Sequence, residues 1–470
     1  MQKRRTRWAT WLVPGTAALA LGLMAPATAG AQALVRVGGE FGVNTYTTGY
    51  QKGPSVAADA DGDFVVVWGS AGSSGTDTDG FSVQGQRYAS NGSTQGGEFQ
   101  VNAYTTSGQG VPSVAANPDG DFVVVWASAG SFGTDTSGAS VQGQRYVSDG
   151  STQGAQFQVN TYTTNYQSIP SVKADADGDF VVVWNSKGSS GSDTDSWSVQ
   201  AQRYASNGST QGAEFQVNTY TTGRQLYPSV AADADGDFVV VWESYGSSGT
   251  DTSASSIQGQ RYASDGSTQG AQFEVNTYTS SYQNVPSVAV DADGDFVVAW
   301  GSWGSSGTDT DGMSTQGQRY TSDGSTQGAQ FQVNTYTTHY QGRPSVAVDA
   351  DGDFVVAWQS YSSYASDTDN LSIQGQRYAS DGSTQGAQFQ VNTYTTNGQY
   401  EPSVAVDAGG DVVVVWESKV AVWPATVDYS ISGQRYRLAP PVPAMSPATR
   451  FALAVALLLL GTAYALRRRS

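Results

Sequence analysis

Five apolar residues in a row, Phe64-Val65-Val66-Val67-Trp68, follow a carboxylate-rich turn, Asp59-Ala60-Asp61-Gly62-Asp63, and precede a run of Gly and Ser. A β-branched and aromatic run with no polar face reads as a strand buried on both sides. Around it the unit predicts three more strands, giving Ser55–Ala58 (A), Phe64–Trp68 (B), Ser82–Ala89 (C) and Glu98–Tyr104 (D). Asp-Ala-Asp-Gly and Ser-Asn-Gly-Ser punctuate them as turns. No helical periodicity interrupts this pattern between residues 34 and 439, so the region is all-β.

The unit recurs without insertion. Pro-Ser-Val triplets begin at Pro54, Pro112, Pro170, Pro228, Pro286, Pro344 and Pro402, each 58 residues after the last. A fixed period of this size means a repeat architecture. The seventh A-B-C set ends at Arg435-Tyr436 with no D strand after it, while Glu40–Tyr46 matches Glu98–Tyr104 and stands before the first A strand. A closed ring pairs those ends and leaves no open edge. The expected fold is a seven-bladed β-propeller with four-stranded blades over residues 34–439, the N-terminal strand completing the last blade.

Two repeated features have structural duties in such a ring. The tryptophans Trp68, Trp126, Trp184, Trp242, Trp300, Trp358 and Trp416 fit the core between blades better than seven sugar platforms. Arg87, Arg145, Arg203, Arg261, Arg319, Arg377 and Arg435 fit a hydrogen-bonded lattice better than seven binding sites.

The acidic turn has two readings. Carboxylates at positions 1, 3 and 5 of one loop are how a hard cation such as Ca²⁺ collects oxygen ligands. This would make metal ligands of Asp59, Asp61 and Asp63, and of Asp175, Asp177, Asp179, Asp233, Asp235, Asp237, Asp291, Asp293, Asp295, Asp349, Asp351 and Asp353. An EF-hand-like match fails further on, because Gly62 stands at position 4 and Ser70 at position 12. Tight turns ask for Asp and Gly on backbone grounds alone, so turn and calcium loop both remain open. A second acidic set, Asp77 and Asp79, lies between strands B and C and recurs in part.

The copies differ mainly in their D–A and B–C connections, which emerge on one face of an antiparallel four-stranded blade. There the chain carries Tyr50, Lys52, Tyr166, Lys187, Trp197, Arg224, Tyr227, Tyr282, Trp303, His339, Tyr340 and Arg343. Variable exposed loops on a rigid ring commonly carry recognition, so these are the candidate ligand-binding residues, with a glycan or protein of the cell surface as the expected partner.

The chain ends read as export signals. Lys3, Arg4, Arg5 and Arg7, an apolar run from Trp8 and small residues at Ala27–Ala33 make residues 1–33 a secretory signal peptide. A Pro-rich linker with Val442-Pro443-Ala444-Met445-Ser446-Pro447 fills residues 440–450; residues 451–470 hold an apolar span and Arg467-Arg468-Arg469. This ending resembles the bacterial IPTL-type C-terminal sorting domain, related to signals read by exosortase-like enzymes. The resemblance covers residues 442–470 and implies a processing protease as partner, membrane contact through this segment alone, and a cell-surface or extracellular destination.

Composition narrows the function. The chain has no cysteine and a single histidine, His339. Outside the signals fifteen basic residues face 41 acidic ones, a balance near −26 that argues against nucleic acid. Near-identical blades offer little asymmetry for catalysis. The expectation is therefore a non-catalytic adhesion or scaffold module, not an enzyme, with a calcium-binding envelope protein or a polysaccharide-acting propeller enzyme as alternatives.

Overall fold

The computed structural model describes residues 33–439 except 73–74, 131–132, 189–190, 195, 247–248, 305, 362–369 and 423–425. The proposed signal peptide and the sorting tail lie outside the described residues. Among those described there is no helix; the strands form seven four-stranded antiparallel sheets. Six blades take their strands in chain order. The seventh is built from Gln399–Val406, Val412–Val422 and Thr426–Leu438, with the N-terminal strand Leu34–Gly42 outermost. Phe41 stands opposite Gly433 as Phe99 stands opposite Gly85, so the N-terminal strand occupies the position of a strand D.

The strands are longer than the apolar pattern alone marks. In blade 1, strand A runs Gln51–Ala58, B Phe64–Ala71 and C Phe81–Tyr88. Strand D ends earlier than expected, at Gln100, because the side-chain Oδ1 of Asn102 accepts the amide of Val83 at 2.8 Å and caps the sheet. Polar residues extend A and B because sheet pairing is made by the backbone, whatever the side chain.

Strand A of each blade touches strand A of the next, so the seven A strands surround the axis. The hydroxyls of Ser55, Ser113, Ser171, Ser229, Ser287 and Ser345 each accept the amide of a valine in the following blade, at 3.1–3.3 Å. Ser403 completes the circle by accepting the amide of Val56 at 3.2 Å.

The core lies between blades. Val66 and Trp68 pack toward blade 7, Val65 and Val67 toward blade 2, and the same alternation repeats around the ring. All seven repeated tryptophans are fully buried. The repeated arginines do form a lattice: Arg87 donates to the carbonyl of Asp149, Arg203 to those of Ser264 and Asp265, and Arg435 to those of Ser90 and Asn91 in blade 1. Arg377 departs from this because blade 7, completed by the N-terminal strand, has no C–D turn to offer. It pairs with Asp353 of its own blade at 2.8 Å.

Candidate active site at one mouth of the ring

The acidic turns are occupied by their own backbone. Asp59 Oδ1 accepts the amides of Asp61 and Asp63 at 3.0 and 2.9 Å. Asp63 in turn accepts the amide of Ser90 and the side-chain amide of Gln95, tying the A–B turn to the C–D turn. Asp175, Asp233, Asp291 and Asp349 repeat the first pattern, and Asp179, Asp237, Asp295 and Asp353 each accept the amide of a serine in the C–D turn. Asp61, Asp177, Asp235, Asp293 and Asp351 donate their amides to the first aspartate of their turns. No group of three or more acidic or histidine side chains converges as a metal cluster among the described residues. The buried Asp77 accepts the side-chain amide of Asn102 at 2.6 Å, which gives the B–C acidic set a structural task too.

The opposite face has more chemical variety. Just before each conserved proline the backbone bulges and turns left-handed: Gly53, Val111, Ile169, Tyr227, Val285, Arg343 and Glu401 have φ between 47° and 58°. That conformation strains any residue with a Cβ and is least tolerable for Val and Ile, at a cost of order 1–3 kcal/mol each. These seven positions encircle one mouth of the axial channel, one per blade. Blades 2 to 5 contribute Val111, Ile169, Tyr227 and Val285; blades 6, 7 and 1 contribute Arg343, Glu401 and Gly53. The mouth is thus apolar on one side and charged on the other.

Beneath this ring lies the residue after each repeated tryptophan, which is Gly69, Ala127, Asn185, Glu243, Gly301, Gln359 or Glu417. Three of them reach the strained residue of the next blade: Gln359 accepts the amide of Glu401 at 2.8 Å, Glu243 that of Val285 and Glu417 that of Gly53, both at 3.4 Å. Glu417 is the most suggestive of these. Burial, reinforced by the neighbouring charge of Glu401, pushes its carboxyl up to about 7 despite the Gly53 amide and the charges of Lys52 and Arg343. Glu401 pairs with Arg343 at 2.7 Å, and its Oε2 would lie 3.8 Å from a Cβ on Gly53. Both carboxyl groups therefore flank Gly53. Tyr429 stands between Tyr50 and Tyr400, with ring centroids 5.3 and 6.1 Å away.

The fold gathers Tyr50, Lys52, Tyr340 and Arg343 of the candidate ligand-binding residues around this group. Lys52 lies in strand A with its Nζ over the Phe81 ring, and Arg343 donates to the Tyr340 hydroxyl. A second group surrounds Glu243, which is 3% exposed and pushed by burial up to about 7. Its neighbours include Tyr245, and around Tyr245 lie Arg224, Tyr227 and Tyr282. Trp303 donates its amide to the carbonyl of Tyr282. Among the described residues Tyr166, Lys187, Trp197 and His339 join neither group; His339 meets the Tyr361 ring edge-on at 5.7 Å.

Sequence reasoning missed Glu243, Glu401, Glu417, Tyr400 and Tyr429. The available signal was a glutamate directly after the tryptophan, since a charge inside a doubly buried strand is costly and rarely idle.

No protein-family model and no curated protein matches the chain. Among solved structures it is similar to the polysaccharide lyase Uly1, with a TM-score of 0.51 and 10% identity, covering 86% of this chain and 100% of that one. A protein of unknown function from Dyadobacter fermentans gives 0.48 and 12%, covering 86% and 99%. The α-L-arabinanase of Penicillium chrysogenum, solved with arabinobiose, gives 0.43 and 16%, covering 72% and 96%. At such identities the likeness is one of fold.

The expectation of a non-catalytic adhesion or scaffold module is corrected at this point. A polysaccharide lyase shares this propeller fold. Near-identical blades also leave room for asymmetry, because a few substitutions in otherwise repeated positions bring a half-buried carboxyl, a second carboxylate and two cations to one sector of the mouth.

Proposed function

We propose that this protein is a polysaccharide-cleaving enzyme whose active site is the charged sector of the channel mouth. The observation that carries the reading is the pair Glu417 and Glu401 on either side of Gly53, one carboxyl half-buried and the other in an ion pair. Two carboxyl groups in unlike surroundings take opposite roles in glycosidic bond cleavage. Glu417, whose burial favours the neutral form, donates a proton to the leaving oxygen. Glu401, with Arg343 as its partner, stands as the carboxylate that accepts a proton or steadies positive charge. Tyr50, Tyr400 and Tyr429 offer faces on which a sugar ring stacks, while Gly53 leaves the space a side chain would fill.

The signals at the two ends support an exported enzyme that meets its polymer outside the cytoplasm, released or retained at the surface through residues 440–470. Incubation with a panel of neutral and acidic polysaccharides, followed by assay of new reducing ends and of unsaturated products, tests the reading. Cleavage that Glu417→Gln abolishes is the expected result. A folded protein that cleaves nothing in the panel, or a Glu417→Gln variant as active as wild type, overturns it.

A further inference from the structure

Glutamate follows the repeated tryptophan in two blades only, as Glu417 in blade 7 and Glu243 in blade 4. The two are three repeats apart, so they lie under different sectors of the same mouth. Each accepts the amide of the strained residue in the next blade at 3.4 Å, Gly53 for Glu417 and Val285 for Glu243. A second feature marks the same two places. An isolated parallel bridge joins the start of strand C to a tyrosine of the next blade, Tyr429 with Tyr50 beside Glu417 and Ser255 with Tyr282 beside Glu243. Among the described residues no other pair of blades has it. The backbone frame of the cleavage sector is thus built twice.

The side chains on the second frame are different. The equivalents of Glu401, Arg343, Lys52 and Tyr400 are Tyr227, Ile169, Asn284 and Leu226. The charged side chains that act on Glu417 therefore have no counterpart around Glu243. Bond cleavage by two carboxyl groups lacks one of them here. What remains is a carboxyl bordered by the side chains of Ser255 and Tyr245, beneath a set of open aromatic rings. Tyr227, Tyr282 and Trp303 are 36–46% exposed, which leaves their faces free for a ligand. Tyr227 is held out in this way at a φ of 52°, so exposure and backbone strain coincide in one residue.

We propose that this sector is a second, non-catalytic sugar-binding site, in which Tyr227 and Tyr282 stack on a ring of the same polysaccharide that is cut beside Glu417. The proposal rests on the polysaccharide reading for its ligand class. The occupant follows from the shared frame, because the same arrangement of a tyrosine and a carboxyl faces the polymer in the cleavage sector. Sugar rings offer apolar faces to aromatic side chains and hydroxyls to the polar groups at the edge, here Tyr245 and Arg224, which lie beside each other. A polymer held in both sectors crosses the mouth, and the second foothold raises its affinity without adding a chemical step.

The test uses the full chain with Glu417→Gln, in which the proposed cutting is disabled, run by affinity electrophoresis through gels containing soluble xylan, arabinan, mixed-linkage β-glucan or polygalacturonate. Tyr227→Gly and Tyr282→Ala are added to it together. Tyr227→Gly gives blade 4 the residue that blade 1 already has as Gly53 and relieves a strained φ, and the unfolding midpoint checks the fold. At least one polymer is expected to retard the Glu417→Gln protein, with affinity about fivefold weaker or more once both tyrosines are replaced. Tyr282→Phe, which keeps the ring, is expected to keep the binding. Equal retardation with and without the two tyrosines, or no retardation by any polymer, overturns the second site. The cleavage reading is judged separately, by new chain ends from wild type: a wild type that cuts nothing, with binding that still depends on the two tyrosines, supports this site and removes the other.

Discussion

Ser403 Oγ accepts the amide of Val56 at 3.2 Å across 347 residues of chain. It is the same bond that consecutive blades make, so the first and last blades meet as ordinary neighbours. Closure on the outer edge depends on the strand Leu34–Gly42, where Phe41 covers Gly433 and lies 5.6 Å from the Tyr88 ring.

Phe41→Ala therefore strikes the seam between blades 7 and 1. It is expected to destabilise the ring by about 2 kcal/mol, below the range of a fully buried Phe-to-Ala change because Phe41 is partly exposed. Deleting residues 34–42 exposes the edge of Thr426–Leu438 and is expected to lower the unfolding midpoint further and to promote association, visible by thermal unfolding and size-exclusion chromatography.

Glu243 provides a pH test of stability. Its carboxyl titrates near 7 in the folded ring and near the ordinary value of 4.5 once unfolded. Between those values the folded state holds a proton that the unfolded state has released, so stability falls as pH rises from about 4.5 to about 7 and levels off above. Glu243→Gln, the residue blade 6 already has as Gln359, keeps an acceptor for the Val285 amide and removes the titration. The variant is expected to be more stable than wild type at pH 8 by up to about 3 kcal/mol and to lose the advantage below pH 5, as denaturant unfolding across pH would show.

Catalysis has its own pH signature. If Glu417 gives up its proton in the bond-breaking step, activity declines as pH rises through about 7, where that carboxyl ionises. Glu417→Gln is expected to lower kcat at least about 100-fold while the fold persists. Arg343→Ala, which removes the partner of Glu401, is expected to reduce activity less severely and to shift the Glu417 limb upward, since a positive neighbour that favours its ionised form is gone. Rate against pH for the three proteins checks both points.

The acidic turns are expected to behave as turns. Asn117 of blade 2 already does the work of Asp59, accepting the amide of Asp121 at 2.9 Å. Asp59→Asn should change stability by no more than about 0.5 kcal/mol, and EDTA or millimolar calcium should leave the unfolding midpoint where it is. A saturable rise with calcium and not magnesium would assign the turns to a metal after all.

The blades themselves were legible in the chain. Phe64–Trp68 announces a strand buried on both faces, Pro54 and its copies set the count, and Glu40–Tyr46 supplies the strand that blade 7 lacks. These features are local or periodic, and hydrophobic alternation and turn chemistry act over a few residues at a time. Tyr50, Lys52 and Arg343 stand out in the chain as departures from the repeat, while the residues that surround them do not.

What the chain by itself determined is the ring; what only the tertiary structure decided is which of its exceptions meet. Glu417 and Gly53 are neighbours because the ends of the ring join. Burial and charge act through space, and a carboxyl or ammonium takes its chemical character from residues hundreds of positions away. A repeat pattern fixes the positions that face one another, but it assigns no meaning to a single departure until closure brings the partners of that departure within a few ångströms.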